Sequence, residues 1–138
     1  SELEGLFLVR EGLEAVTARL CAQKITDEQV RRLQELADAF ETAWVKAEVR
    51  GLDQDDVAIH RHVARCADCP LLAEELDRLM LIERTAGRVI AKPAADSHRA
   101  LVLAIVDRDA DSAEYLMKKH IQAGYRETLQ DFAKAGEN

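Results

Sequence analysis

Apolar residues recur along this chain at spacings of three and four, and only Pro70, Pro93 and six glycines interrupt them. That is the period of an α-helix with one buried face; a half-buried strand would alternate apolar and polar residues. The 138 residues fit one domain. A domain of that size buries roughly two-thirds of its unfolded surface, so it needs no disulfide or structural metal in order to fold. The segments between periodic stretches are short, which makes successive helices antiparallel neighbours. The expected object is an all-α, antiparallel six-helix bundle formed by residues 1–138 as a single domain.

The first helix is expected from about Glu2 to Gln23, with Leu6, Val9, Leu13, Val16 and Leu20 as its buried seam. Thr26 reads as an N-cap, with Gln29 closing a capping box. The second helix then presents Val30, Leu33, Ala37, Phe40, Trp44 and Ala47 on one face and ends at Gly51. A third covers about Asp53 to Ala67. Pro70 suits the first turn of a fourth, with Leu72, Leu76, Leu79 and Leu81 or Ile82 as its seam. The clearest break is Lys92-Pro93-Ala94-Ala95. A fifth helix is expected from about Asp96 to Asp107. Asp109 or Asp111 can cap a sixth, whose inner face carries Ala113, Leu116, Met117, His120 and Gly124, and whose end frays after Phe132.

Chemistry enters with Asp56-Val-Ala-Ile-His60, joined downstream by His98 and His120. Residues four apart on a helix project the same way, one turn above the other. Each of these three histidines falls on the apolar stripe of a separate helix, where an unpaired imidazole is costly to bury. A buried histidine taken singly is satisfied by a backbone carbonyl. Three of the chain's four histidines at seam positions, together with a buried carboxylate, point instead to convergence on a divalent metal. An ion compensates the carboxylate and uses the imidazoles in their neutral form. His62 projects away from that face and is expected in solvent. Trp44, Phe40 and Phe7 are expected in the core or in dimer contacts.

The formal net charge of −7 argues against a nucleic-acid surface on this chain, since phosphate binding calls for clustered Lys and Arg. No stretch is long and apolar enough to span a membrane. Three cysteines, an odd number, fit a reduced cytoplasm better than a disulfide framework. Cys66-Ala-Asp-Cys69 lacks the strand-to-helix context of a thioredoxin-like motif, and a zinc knuckle would need His62 and Cys21 as further ligands, which nothing in the sequence brings there. The two thiols read as flanking a helix junction. Asp53 and Asp55 lack EF-hand spacing and favour the positive start of the third helix.

Several segments resemble one family. Val9-Arg10-Glu11-Gly12-Leu13-Glu14 is similar to an Arg-x-x-Leu-Glu of its first helix. Ile25-Thr26-Asp27-Glu28 resembles the opening of its second. Asp56-x-x-x-His60-Arg61 resembles Asp-x-x-Phe-His-Arg, with Ile59 in place of Phe. Cys69-Pro70-Leu71-Leu72 resembles Asn-Pro-Leu-Leu, and His98-Arg99-Ala100-Leu101 resembles His-Arg-Ala-Ile. Asp109, Ala113, Met117 and His120 follow at matching intervals. The pattern is that of the FCD domain, the C-terminal effector-binding domain of FadR-type regulators in the GntR family.

The resemblance implies a domain that binds a small organic acid and is joined to an N-terminal winged helix-turn-helix that binds DNA as a dimer. The abrupt start at Ser1-Glu-Leu-Glu fits a chain that lacks this DNA-binding half. The family's metal ligands fall on Asp56, His60, His98 and His120. The ion is expected to be zinc, with nickel, manganese or iron as alternatives. Arg10 holds the family's first-helix arginine position and is the first candidate for clamping the effector acid; Arg84 is the second. Met80 stands in a stretch where relatives often carry Arg. Arg10 can instead pair with Glu14 at the surface, and Arg84 can be a solvated charge. Two rival readings use the same residues. One is a metal-dependent hydrolase activating water, which needs a general base; no unassigned carboxylate or histidine falls clearly inside the pocket, and Glu14 is the one candidate left open. The other is a structural dimerisation module with hydrogen-bonded histidines.

Overall fold

The computed structural model describes residues 2–46, 49–85 and 95–137, with the side chains of 49–53, 83–85, 95–97, 131, 132 and 134–137 excepted. Among them are six helices and no strand: α1 (Glu2–Lys24), α2 (Asp27–Val45), α3 (Val49–Cys66), α4 (Pro70–Thr85), α5 (Ala95–Val106) and α6 (Ala110–Glu137).

The caps explain where the helices begin. Thr26 Oγ1 accepts the Gln29 N–H at 3.2 Å, and Gln29 Oε1 accepts the Thr26 N–H at 3.0 Å, so the capping box forms as its sequence implies. Asp109, rather than Asp111, caps α6 by accepting the Ser112 N–H at 3.1 Å. Pro70 is the first residue of α4, where its missing N–H costs nothing. Among the described residues two non-glycines take left-handed backbone: Asp68 between α3 and α4, and Arg108 between α5 and α6. The Arg108 guanidinium donates to the Ile25 carbonyl and to Asp27, tying the α5–α6 turn to the α1–α2 turn.

Two boundaries differ from expectation, and a third expected break is untested. Gly51 lies inside α3, which starts at Val49, because one glycine in a first turn costs only about 1 kcal/mol and does not stop a helix. The break centred on Pro93 lies outside the described residues. Finally, α6 continues to Glu137 rather than ending near Phe132.

Cross-contacts fix the directions. Phe7 meets Tyr125 while Arg19 pairs with Glu114, so α1 and α6 run antiparallel. The same holds for α2 and α5, where Glu41 pairs with Arg99 and Gln34 shares a cavity wall with Val106. By contrast α1 and α3 run parallel: Glu14 meets His60, and Cys21 meets Cys66 seven and six residues later. The apolar core between them includes Phe40, Leu33, Ile59, Leu101, Ile105 and Met117.

Two apolar seams are turned from their expected positions. On α1, Val9 and Val16 are 52% and 43% exposed, while Leu6, Leu13 and Leu20 are half-buried. The buried face is Phe7, Arg10, Glu14, Thr17, Ala18, Cys21 and Ala22. Small residues there let α6 approach closely, and the two charges neutralise each other. On α4, Leu76, Leu79 and Met80 are buried, whereas Leu81 and Ile82 are exposed.

Candidate metal centre

Asp56, His60, His98 and His120 are all buried and converge from α3, α5 and α6. Each offers one ligand atom, and these atoms lie within 4.8 Å of one another. His98 Nε2 is 2.8 Å from Asp56 Oδ1, and His60 Nε2 is 3.3 Å from the same oxygen. The ring centroids of His120 lie 4.3 Å from His98 and 5.3 Å from His60. Phe40 walls the group off, its ring 4.3 Å from that of His98.

The most informative contact comes from a residue outside that set. Glu14 on α1 is 1% exposed, and its Oε1 lies 2.5 Å from His60 Nδ1. A carboxylate accepts, so Nδ1 carries the proton and donates. Its other oxygen accepts the Arg10 Nε–H at 2.8 Å. In the neutral ring this tautomer leaves the Nε2 lone pair turned towards Asp56. A carboxylate behind a histidine, fixing its tautomer and orientation, is the usual support for a metal-bound imidazole.

The electrostatics agree. Burial alone would raise the Glu14 carboxyl, but Arg10 and then His60 outweigh it and bring it down to about 2. Burial would likewise raise Asp56, yet His60 and His98 hold it well below the ordinary carboxylate range. For His60, burial pulls down while Glu14 and Asp56 pull harder the other way, raising it to about 9. His120 is pushed down to about 3, first by burial and then by the neighbouring His98 and His60 side chains. The pocket thus stabilises a positive charge between two carboxylates and keeps one imidazole neutral beside it.

The residues fit a bound cation by a second measure. His60 Nε2 and His98 Nδ1 are buried and have no hydrogen-bond partner among the described residues. A buried polar atom left in that state costs about 1–3 kcal/mol. Coordination relieves such a penalty, and one carboxylate with neutral imidazoles is a donor set for a divalent transition metal. A cavity of about 270 Å³ between α2 and α5, lined by Phe40, Glu41, His98, Arg99 and Val102, reaches the cluster at His98.

A family model, the FCD domain, matches residues 5–123 of this chain. The chain belongs to the FCD domain family. FCD domains are effector-binding domains of GntR-type transcription regulators, a non-enzymatic family, so the hydrolase reading falls. Among solved structures, E. coli McbR/YncC superposes with a TM-score of 0.83 at 16% identity, covering 94% of this chain and 65% of that one. Streptococcus agalactiae GntR superposes with a TM-score of 0.74 at 26% identity, covering 90% of this chain and 58% of that one. The chain therefore spans less than two thirds of either relative's length. No curated protein matches.

The remaining sequence-derived candidates divide. Arg10 is 4% exposed and pairs with Glu14 inside the core, not at the surface. Arg84 lies on the last turn of α4, with its side chain outside the described residues. His62 is half-buried rather than solvated: it sits 2.9 Å from the Gln29 carbonyl oxygen and 3.5 Å from Cys66 Sγ. Cys21 lies against Cys66, a proximity the sequence did not reveal. The cysteines and His62 do not form a knuckle, since among the described residues only the Asp56 group brings three or more ligands together. The contact of Glu14 with His60 is the feature of the site that the sequence did not anticipate. Its signal was available in Arg10, Glu14, Thr17 and Cys21, a polar and small stripe at helical spacing that competes with the leucine seam.

Proposed function

We propose that this chain is the ligand-sensing domain of a FadR-type transcription regulator in the cytoplasm. In this reading it holds a divalent metal through Asp56, His60, His98 and His120 and senses a small organic acid. The observation that carries the reading is the Glu14–His60 hydrogen bond of 2.5 Å, because it orients a buried imidazole towards three further ligands. Zinc is the first choice of ion for three imidazoles and a carboxylate; nickel, manganese and iron accept the same donors. When bound, the ion supplies a positive charge whose open positions attract the carboxylate oxygens of an acid.

Arg10 is the proposed clamp for the other end of that acid. Its planar guanidinium sits in the same buried region, held by Glu14, and matches a carboxylate through two parallel hydrogen bonds. Arg84 remains a second candidate from its place on α4. Closure of α1, α3, α5 and α6 around the acid favours one of two arrangements of a homodimer. An N-terminal winged helix-turn-helix, lying outside this chain, binds DNA and reads that arrangement. The acid shifts the balance only by binding one arrangement more tightly than the other. Apolar side chains exposed on α1 and α4, including Val9, Val16, Leu71 and Leu81, are surface that a second copy would cover.

Two measurements test this. Metal content by plasma emission should be one ion per chain in the wild type and none in the double variant Asp56→Ala, His60→Ala; unchanged content in the variant would refute the ligand assignment. A thermal-shift screen of metabolic acids on metal-loaded protein should find an acid that stabilises the wild type and not Arg10→Ala. An acid that stabilises both equally removes Arg10 from the site.

A further inference from the structure

The side of α3 that faces α2 carries a group of charges that neither the core nor the proposed metal centre uses. Between these helices lies a cavity of about 370 Å³ whose polar wall is Arg32, Gln54, Arg61, His62 and Arg65. No carboxylate lines it among the described residues, although Asp and Glu outnumber Lys and Arg by 26 to 19 in the whole chain. The helical period gathers the charges: Arg61 and Arg65 are one turn apart on α3, on the same side as Gln54 two turns earlier. His62 meets Gln29 near the start of α2, which brings Arg32 alongside them.

Little in the fold answers these charges. Like charges four apart on a helix repel, so Arg61 and Arg65 do not serve the stability of α3. Arg65 makes no hydrogen bond or ion pair with any described residue. Arg61 Nε reaches Asp77 of α4 at 3.1 Å, and Arg32 Nη1 reaches Glu35 at 3.1 Å. All four of these side chains are exposed, and such pairs in water are weak and readily exchanged. A guanidinium has five N–H donors, so Arg32 and Arg61 keep donors for a further acceptor. His62 is different: the Gln29 carbonyl already holds its Nε2 at 2.9 Å, and it is left out of the ligand set.

We propose that this cavity is an anion site, separate from the metal centre, which takes a small dianion of the phosphate monoester type on Arg32, Arg61 and Arg65. Gln54 donates from the far end, and the apolar residues Leu36 and Val57 receive the ester's carbon part.

The chemistry of the wall selects this class. The planar guanidinium fork matches the oxygens of a phosphate, and several forks around one concavity suit a compact double charge. The volume is that of a small-molecule site. A nucleic-acid backbone calls instead for a broad basic surface, which a chain of net charge −7 lacks. Asp56 and His60 project from a different face of α3 into the core, so the anion site stands whether or not they hold an ion.

Titration of the folded chain with inorganic phosphate at physiological ionic strength, read from the Nε–H signals of nitrogen-15-labelled arginine, tests the site. The Arg61 and Arg65 signals should shift saturably, while that of Arg78, an exposed arginine of α4 paired with Glu75, stays in place. Arg61→Gln and Arg65→Gln should each weaken binding about tenfold, and Arg78→Gln, with the same change of charge, should not. Asp77→Asn should tighten binding by up to about fivefold, because it removes the carboxylate that competes for Arg61. Shifts that do not saturate, or an equal loss in all three arginine variants, mean general charge attraction and overturn the proposal. So does phosphate that moves only signals of the metal centre. Succinate binding more tightly than phosphate overturns the assigned class. The substituted side chains are exposed, and circular dichroism of each variant confirms the fold.

Discussion

The two faces of α1 invert the usual rule. Its inner face buries Arg10, Glu14 and Thr17, while its outer face leaves Leu8, Val9 and Val16 in solvent. Hydrophobic patterning alone would turn the helix the other way. The inner face prevails because its polar groups are all engaged: Glu14 with Arg10 and His60, and the Thr17 hydroxyl with the Leu13 carbonyl at 2.7 Å. A paired charge is tolerated in a core where an unpaired one is not. Small side chains at Ala15, Ala18 and Ala22 complete a surface that packs by close approach instead of by bulk. Apolarity is thus a weak guide to burial wherever a polar cluster supplies its own partners.

The sharpest way to break this comparison is to remove the inner charge. Glu14→Ala removes the buried carboxylate that pairs with Arg10 and with His60 and should lower unfolding free energy by about 3–5 kcal/mol in denaturant titrations of the metal-free chain. A loss below about 1 kcal/mol would mean that Arg10 escapes to water and that the pair does not set the rotation of α1.

Next in size is the small-residue contact. Ala18→Leu overfills a position that is 0% exposed and should cost about 1–3 kcal/mol with no change in metal content.

The pH dependence of the chelated protein follows from two histidines shifted in opposite directions. His60 is raised from 6.5 to about 9, so its contribution is complete below pH 6.5 and disappears as pH rises through 9. His120 is lowered from 6.5 to about 3, so the unfolded chain takes up a proton first, and stability falls as pH drops from 6.5 towards 3. Glu14, lowered from 4.5 to about 2, adds stability above pH 4.5 that is lost as pH falls through 2. The melting temperature of the chelated chain should therefore peak near pH 6.5. With metal restored, the alkaline decline should vanish, because a cation then replaces the His60 proton. Identical profiles with and without chelator would remove the metal from the account.

The smallest effect belongs to the outer face. Val9→Asp with Val16→Asp should change chain stability by no more than about 0.5 kcal/mol. Sedimentation should nevertheless show a shift from dimer to monomer if a second copy covers this surface. A dimer that persists would locate the interface elsewhere.

The sequence read well where information was local. Thr26 with Gln29, Pro70 and Asp109 marked helix starts through chemistry confined to a few neighbouring residues. Asp56 and His60 were legible as a pair because four residues make one turn. His98 and His120 stood out because an imidazole on an apolar stripe demands a partner. What the sequence hid was rotation and proximity: which side of α1 faced inward, that Met80 rather than Leu81 would be buried, and that His62 would turn towards Gln29.

Composition, period and caps by themselves determined a helical chain and nominated the four residues of the buried cluster. Only the tertiary packing put Glu14 behind His60, 46 positions away, and Cys21 against Cys66. The reason is physical. A helix's period is set by bonds between neighbours, whereas its rotation about its own axis is decided by which distant groups satisfy the charges it buries.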